Sequence, residues 1–183
     1  MFPTGHLAVS LVVGGGLWAA TGSPWAMAGS VVAGVLVDGD HVLDYANALR
    51  GDIRRILVPL HSYELGLAGL LAAFLTGWHP LLTGAALGLL AHVASDALTN
   101  RLHPLAYFLA YRVRHGFRRA ALALGSEEEA WEEMVRTPGV GWLLRRVGRW
   151  TPPEEAEGAG AARRRRGAGR GAPSRGRRWR LLW

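Results

Sequence analysis

Cysteine is absent from this 183-residue chain, and so is lysine. Without cysteine there are no disulfides and no thiolate metal sites, so any bound metal must be held by histidine and carboxylate, ligands that suit zinc, manganese or iron. Without lysine every basic side chain is arginine, and no function follows from that alone. Formal charge is also scarce over the first part of the chain. Residues 1–110 carry only 10 of the 35 charged side chains and sum to −2. Residues 111–183 carry the other 25 and sum to +9, which gives the net +7. The basic character therefore belongs to the C-terminal part.

Two stretches lack Asp, Glu, Lys and Arg altogether: Leu7 to Val37 and Leu65 to Ser95, 31 residues each. Each exceeds the roughly 20 apolar residues that span a bilayer, and as one helix each would run about 46 Å against a hydrocarbon core of about 30 Å. Turn chemistry interrupts both, at Thr21-Gly22-Ser23-Pro24 and at Gly77-Trp78-His79-Pro80. Trp18, Trp25 and Trp78 flank these breaks, where amphipathic rings favour an interface. The pattern predicts an all-α fold, a membrane-embedded four-helix bundle made of two helical hairpins. Its spans lie near residues 4–20, 25–37, 62–77 and 81–98.

Arginine placement predicts the orientation. Arg50, Arg54 and Arg55 in the loop 38–61, and the whole basic C-terminal part, fall on one side, while the two opposite turns carry no formal charge. The positive-inside rule then makes this an integral protein of the cytoplasmic membrane with both termini cytoplasmic. A soluble helical domain fits such Gly-rich uncharged blocks poorly. A signal peptide is disfavoured because no basic residue precedes the apolar stretch.

Ionisable groups beside membrane spans are costly and tend to be functional. The predicted topology brings His6, the run Asp38-Gly39-Asp40-His41-Val42-Leu43-Asp44, His61, and the i, i+4 pair His92 and Asp96 to the inner face, with His103 just beyond. His79 falls on the other side. Neutral imidazoles and ionised carboxylates are what a zinc-type site requires, and such a metal would lower the pKa of bound water to give a nucleophile. A further carboxylate, Asp38 or Asp44, would serve as general base or orient a ligating histidine. Each motif also has a plainer reading: Asp38, Asp40 and Asp44 as a solvated loop or cap, Ser62 as a helix cap, and His92 with Asp96 as a self-satisfied pair.

The order Gly5-His6, Asp38-x-Asp40-His41, His61-Ser62 and His92-x-x-x-Asp96 resembles the YdjM-like membrane-bound metal-dependent hydrolases. These are grouped with zinc-dependent phospholipase C and single-strand-specific nucleases. The resemblance covers about residues 4–108. It implies that His6, Asp38, Asp40, His61, His92 and Asp96 bind a divalent metal, zinc first and manganese as the alternative; His41, beside Asp40, is added to this set. It also implies hydrolysis of a phosphoester, with a phospholipid the expected substrate at headgroup level.

Three regions are expected: 1–103 as the bundle, 104–150 as amphipathic interfacial helices, and 151–183 as a disordered Arg-rich tail. Pro104 suits a helix start, and Tyr107, Phe108, Tyr111 and Phe117 interleave with Arg112, Arg114, Arg118 and Arg119, arginines expected to face anionic headgroups. Ser126 and Glu129 make a capping box for a helix over 127–136, and 140–150 reads as a basic surface helix. The runs Arg163–Arg166 and Arg175–Arg180 are expected to touch anionic lipid rather than nucleic acid. The alternative to an enzyme is a membrane protein whose His/Asp cluster is structural or ion-binding.

Overall fold

A computed structural model of the chain describes residues 3–152. The described residues up to Trp150 form one compact unit. The arginine runs at 163–166 and 175–180 lie outside the described residues, as does residue 153 onward of the tail expected to be disordered over 151–183. The described residues are mostly helical and contain no strand, only two isolated bridges.

Helices α1 (Pro3–Thr21) and α2 (Pro24–Leu36) form the first hairpin, α4 (Tyr63–Leu75) and α5 (Pro80–Thr99) the second. The turns fall where proline and glycine interrupt the apolar blocks. Gly22 and Gly77 take φ of 70° and 68°, a region glycine enters without a Cβ clash, and Trp78 follows Gly77 at 62°. After α2 the chain passes through a 3-10 turn, Val37–Asp40, directly into α3 (His41–Leu49). Pro24–Leu49 therefore reads as 26 continuous helical residues, and Pro80–Thr99 as 20. These two are long and apolar enough to cross a membrane; Tyr63–Leu75 is apolar but shorter.

Small residues at four-residue spacing bring the helices together. Along α2 the ridge is Ala26, Ser30, Gly34 and then Asp38; along α5 it is Gly84, Gly88, His92 and Asp96. A Cβ added at Gly84 would lie 1.9 Å from the Ala26 carbonyl oxygen, and one at Gly88 would lie 2.4 Å from that of Ser30. The next pair, Gly34 and His92, shares a hydrogen bond at the same separation of 58 residues. The constant offset makes α2 and α5 parallel, with the close backbone approach that small-xxx-small ridges allow. Helix α1 runs antiparallel to α2 by the same device. A Cβ on Gly14 would meet Met27, one on Gly34 would meet Ser10, and the Ser30 hydroxyl donates to the Ser10 carbonyl at 3.0 Å.

Residues 101–150 wrap the loop 50–62 with short pieces: a 3-10 turn Pro104–Tyr107, α6 (Leu109–Arg114), α7 (Arg119–Leu122), α8 (Glu127–Arg136) and α9 (Val140–Val147). Ile56, Val58, Ala106 and Leu122 make one small core, and Ala48, Ile53 and Leu144 another. The capping box of Ser126 and Glu129 opens α8, and Ser62 caps α4 by accepting from the Leu65 amide. The expected outward arginines differ at two positions. Arg119 is half-buried and donates its Nε to the Ile53 carbonyl at 2.7 Å. Arg112 is fully buried, its Nε and an Nη donating to the carbonyls of Ala106 and Val58.

Candidate metal centre

The ridges that pack α1, α2 and α5 end in polar side chains at one end of the bundle. Helix α1 supplies His6, the 3-10 turn supplies Asp38 and Asp40, and α3 begins with His41. The loop before α4 supplies His61, and the last turns of α5 supply His92 and Asp96. His6, His61, His92 and Asp96 are buried, and the Asp38 side chain is 28% exposed, which opens the cluster on one side.

Two histidines are oriented by partners on the far side of the ring. His92 Nδ1 lies 2.7 Å from the Gly34 carbonyl, which can only accept, so Nδ1 is the donor and Nε2 presents its lone pair. His61 turns Nδ1 toward Asp40 Oδ1 at 3.0 Å, off the hydrogen-bonding axis, so both atoms are buried without a hydrogen bond. The other oxygen of Asp40 accepts from the Leu60 amide at 2.7 Å. The carboxylate stands behind the ring as in carboxylate–histidine metal pairs, without the hydrogen bond that fixes the tautomer there. The two Nε2 atoms consequently face each other at 3.2 Å. Asp38 Oδ1 stands 3.3 Å from His61 Nε2 and 3.5 Å from that of His92. Asp96 bridges, with Oδ1 3.2 Å from His6 Nε2 and Oδ2 3.6 Å from His92 Nε2. The His6 ring stacks on His92 at 3.8 Å between centroids.

Nitrogen and oxygen atoms this close need a proton or a cation among them. Three overlapping groups each place one ligand atom per residue within 4.8 Å of one another: His6, Asp38 and His92; Asp38, His41 and His61; His61, His92 and Asp96. The cluster could hold a metal ion, and its all-nitrogen-and-oxygen donor set suits a divalent cation. Burial opposes a charge on His61, but the carboxylates of Asp38 and Asp40 outweigh it and raise the imidazole to about 9. A proton and a metal ion at His61 Nε2 exclude each other.

Of the residues singled out in the sequence, His6, Asp38, His41, His61, His92 and Asp96 come together. Asp40 stands behind His61. Asp44 is in none of these groups; its carboxylate accepts from the Leu57 amide and holds the loop that carries His61. His103 stacks on Tyr111 instead, at 5.5 Å. Sequence reasoning missed two supports of the same loop. Arg112 donates to the Val58 carbonyl, the oxygen that also receives the His61 amide at 3.3 Å. Glu64, through both carboxylate oxygens, receives the Leu109 and Ala110 amides at 2.9 and 3.1 Å and so ties α4 to α6. The signal for Arg112 was faint, a lone arginine among aromatics. Comparison with family models, with curated proteins and with solved structures finds no match to this chain.

Proposed function

We propose that the chain is a membrane-embedded, metal-dependent hydrolase acting on a phosphoester at headgroup level, a phospholipid being the substrate class. The observation that carries the reading is the convergence of two buried imidazole Nε2 atoms with the carboxylates of Asp38 and Asp96. His6, Asp38, His41, His61, His92 and Asp96 would hold the cation, zinc before manganese. A divalent cation supplies a water acidified toward neutrality and an electrophile for a phosphoryl oxygen. Asp38, the half-open member of the cluster, is placed to take the proton of that water. The Gly34 carbonyl keeps the His92 imidazole in the required tautomer, and Asp40 stands behind the His61 ring. The step from metal to hydrolysis rests on the resemblance to the YdjM-like hydrolases.

Membrane embedding is supported by an inverted bundle. The packed faces are Gly, Ala and Ser, while Val12, Val32, Leu67, Leu71, Phe74 and Leu75 are exposed, an arrangement costly in water and natural in lipid. With the loop 38–61 on the cytoplasmic side, the cluster lies at the inner surface of the cytoplasmic membrane and both termini are cytoplasmic. The basic tail then faces anionic headgroups.

A second reading is favoured by one distance. The His6–Asp96 pair at 3.2 Å is at ion-pair range, so the cluster can also stabilise the bundle without chemistry. Phosphodiesterase assays on the zinc-loaded protein separate the two. Turnover lost in His92→Ala and Asp96→Ala, with folding retained, supports the enzyme. Metal bound stoichiometrically without turnover on any phosphoester supports the ion-binding alternative. Because His61 holds a proton up to about 9, apparent zinc affinity should rise about tenfold per pH unit below that value, as seen by competition with a chromophoric chelator. A flat profile between pH 6 and 8 would contradict His61 as a ligand.

A further inference from the structure

Away from the cluster, the bridge between Arg55 and Arg118 places two like charges side by side. The Ile56 amide donates to Phe117 at 2.9 Å and the Arg119 amide to Arg54 at 2.7 Å. These bonds flank the bridge, so Arg55 and Arg118 form a non-hydrogen-bonded antiparallel pair, the register in which opposite side chains come closest. Like charges there are destabilising. Both side chains are exposed, and neither makes an ion pair or a side-chain hydrogen bond among the described residues.

The pair opens onto a cavity of about 470 Å³ lined by Asp52, Arg54, Arg55, Arg118, Ala120 and Glu127. Asp52 is already engaged, accepting from the Arg54 amide at 3.1 Å and lying 3.6 Å from its guanidinium. An adjoining cleft shares Arg118 and adds Arg114 and His115. The backbone feeding Arg118 is strained: Phe117, a bulky residue, takes φ of 58° directly after Gly116 at 60°. Strain of this kind persists where surrounding structure enforces a particular side-chain placement.

We infer that Arg54, Arg55 and Arg118 form a phosphate-binding site separate from the metal cluster. Planar guanidinium groups match phosphate oxygens two at a time, and an anion between Arg55 and Arg118 turns their repulsion into attraction. The phosphate comes either from an anionic lipid headgroup or from solution.

The test uses the full chain in nanodiscs with a chelator present, so that phosphate cannot act through bound metal. In phosphatidylcholine discs, inorganic phosphate is titrated at constant ionic strength; in a second arm, phosphatidic acid replaces part of the lipid without added phosphate. Thermal unfolding of the wild type should move upward in at least one arm, and the responding arm identifies the source. Arg55→Gln and Arg118→Gln should each raise the starting midpoint, by relieving repulsion, and weaken the response tenfold or more. Arg145→Gln, on α9 outside both cavities, should respond like the wild type. The inference is overturned by a wild type that responds in neither arm. It is also overturned by an undiminished response when Arg55→Gln and Arg118→Gln are combined in one chain, or by an equal loss in Arg145→Gln, which would mean diffuse attraction rather than a site.

Discussion

The bundle and the segment that follows it solve opposite packing problems with the same chain. In α1, α2 and α5 the interior is glycine, alanine and serine, and the large apolar side chains point out. In residues 101–150 the interior holds Tyr107, Leu122 and Leu144, and the charge points out, apart from Arg112 and the half-buried Arg119. Side-chain volume drives packing in water, because burial removes apolar area from solvent. In lipid, the environment proposed for the bundle, that drive would vanish and close backbone approach would take its place. The boundary between the two regimes is the loop 50–62, and it carries His61. The polar cluster sits where the small-residue ridges run out.

That contrast can be broken most severely from the bundle side. Gly84→Leu would drive a side chain into the Ala26 carbonyl, at a position where even a Cβ lies 1.9 Å away. The expected cost is about 3 kcal/mol or more. Thermal melts in detergent should show the bundle lost, whereas Gly15→Leu, with nothing within 4 Å of its Cβ, should change little. Equal tolerance at both sites would contradict the helix register.

A middle-sized effect is expected at the boundary. Arg112→Ala leaves the buried carbonyls of Val58 and Ala106 without these donors, costing about 2 to 3 kcal/mol. It should speed amide exchange over residues 56–61 while leaving α1, α2 and α5 protected. Uniform loosening of the whole bundle would argue against a local clamp. The smallest effect belongs to the water-facing segment. Ser126→Ala removes the side chain that caps α8 and should cost about 1 kcal/mol, read as a lower melting midpoint with metal content unchanged.

The hairpins, their turns and the Ser62 and Ser126 caps were legible in the sequence because each has a local cause: an uncharged run, a proline after glycine, a serine three residues before its bonded amide. So was the convergence of His6, Asp38, His61, His92 and Asp96, since hairpin topology alone returns them to one end. Spacing carried more than was read from it. The four-residue ridge Gly84, Gly88, His92, Asp96 states both the packing face and the position of the site on that face. The division of labour among Asp38, Asp40 and Asp44 was not legible. It depends on how the 3-10 turn Val37–Asp40 aims three nearby carboxylates, and on the Leu57 and Leu60 amides that claim two of them. Arg112 was read as facing out because its neighbours are aromatic; its burial follows from loop carbonyls 54 and 6 residues away that no local pattern reveals.

The most direct test of the account is the metal content of the purified full chain. After loading with zinc and exhaustive desalting, elemental analysis should find at least one equivalent in the wild type. His92→Ala and Asp96→Ala should each lose that metal while keeping the helical content and monodispersity of the wild type. Wild-type protein that retains no stoichiometric zinc or manganese under any loading condition, or variants that retain as much as the wild type, would contradict a metal centre at the end of the ridges.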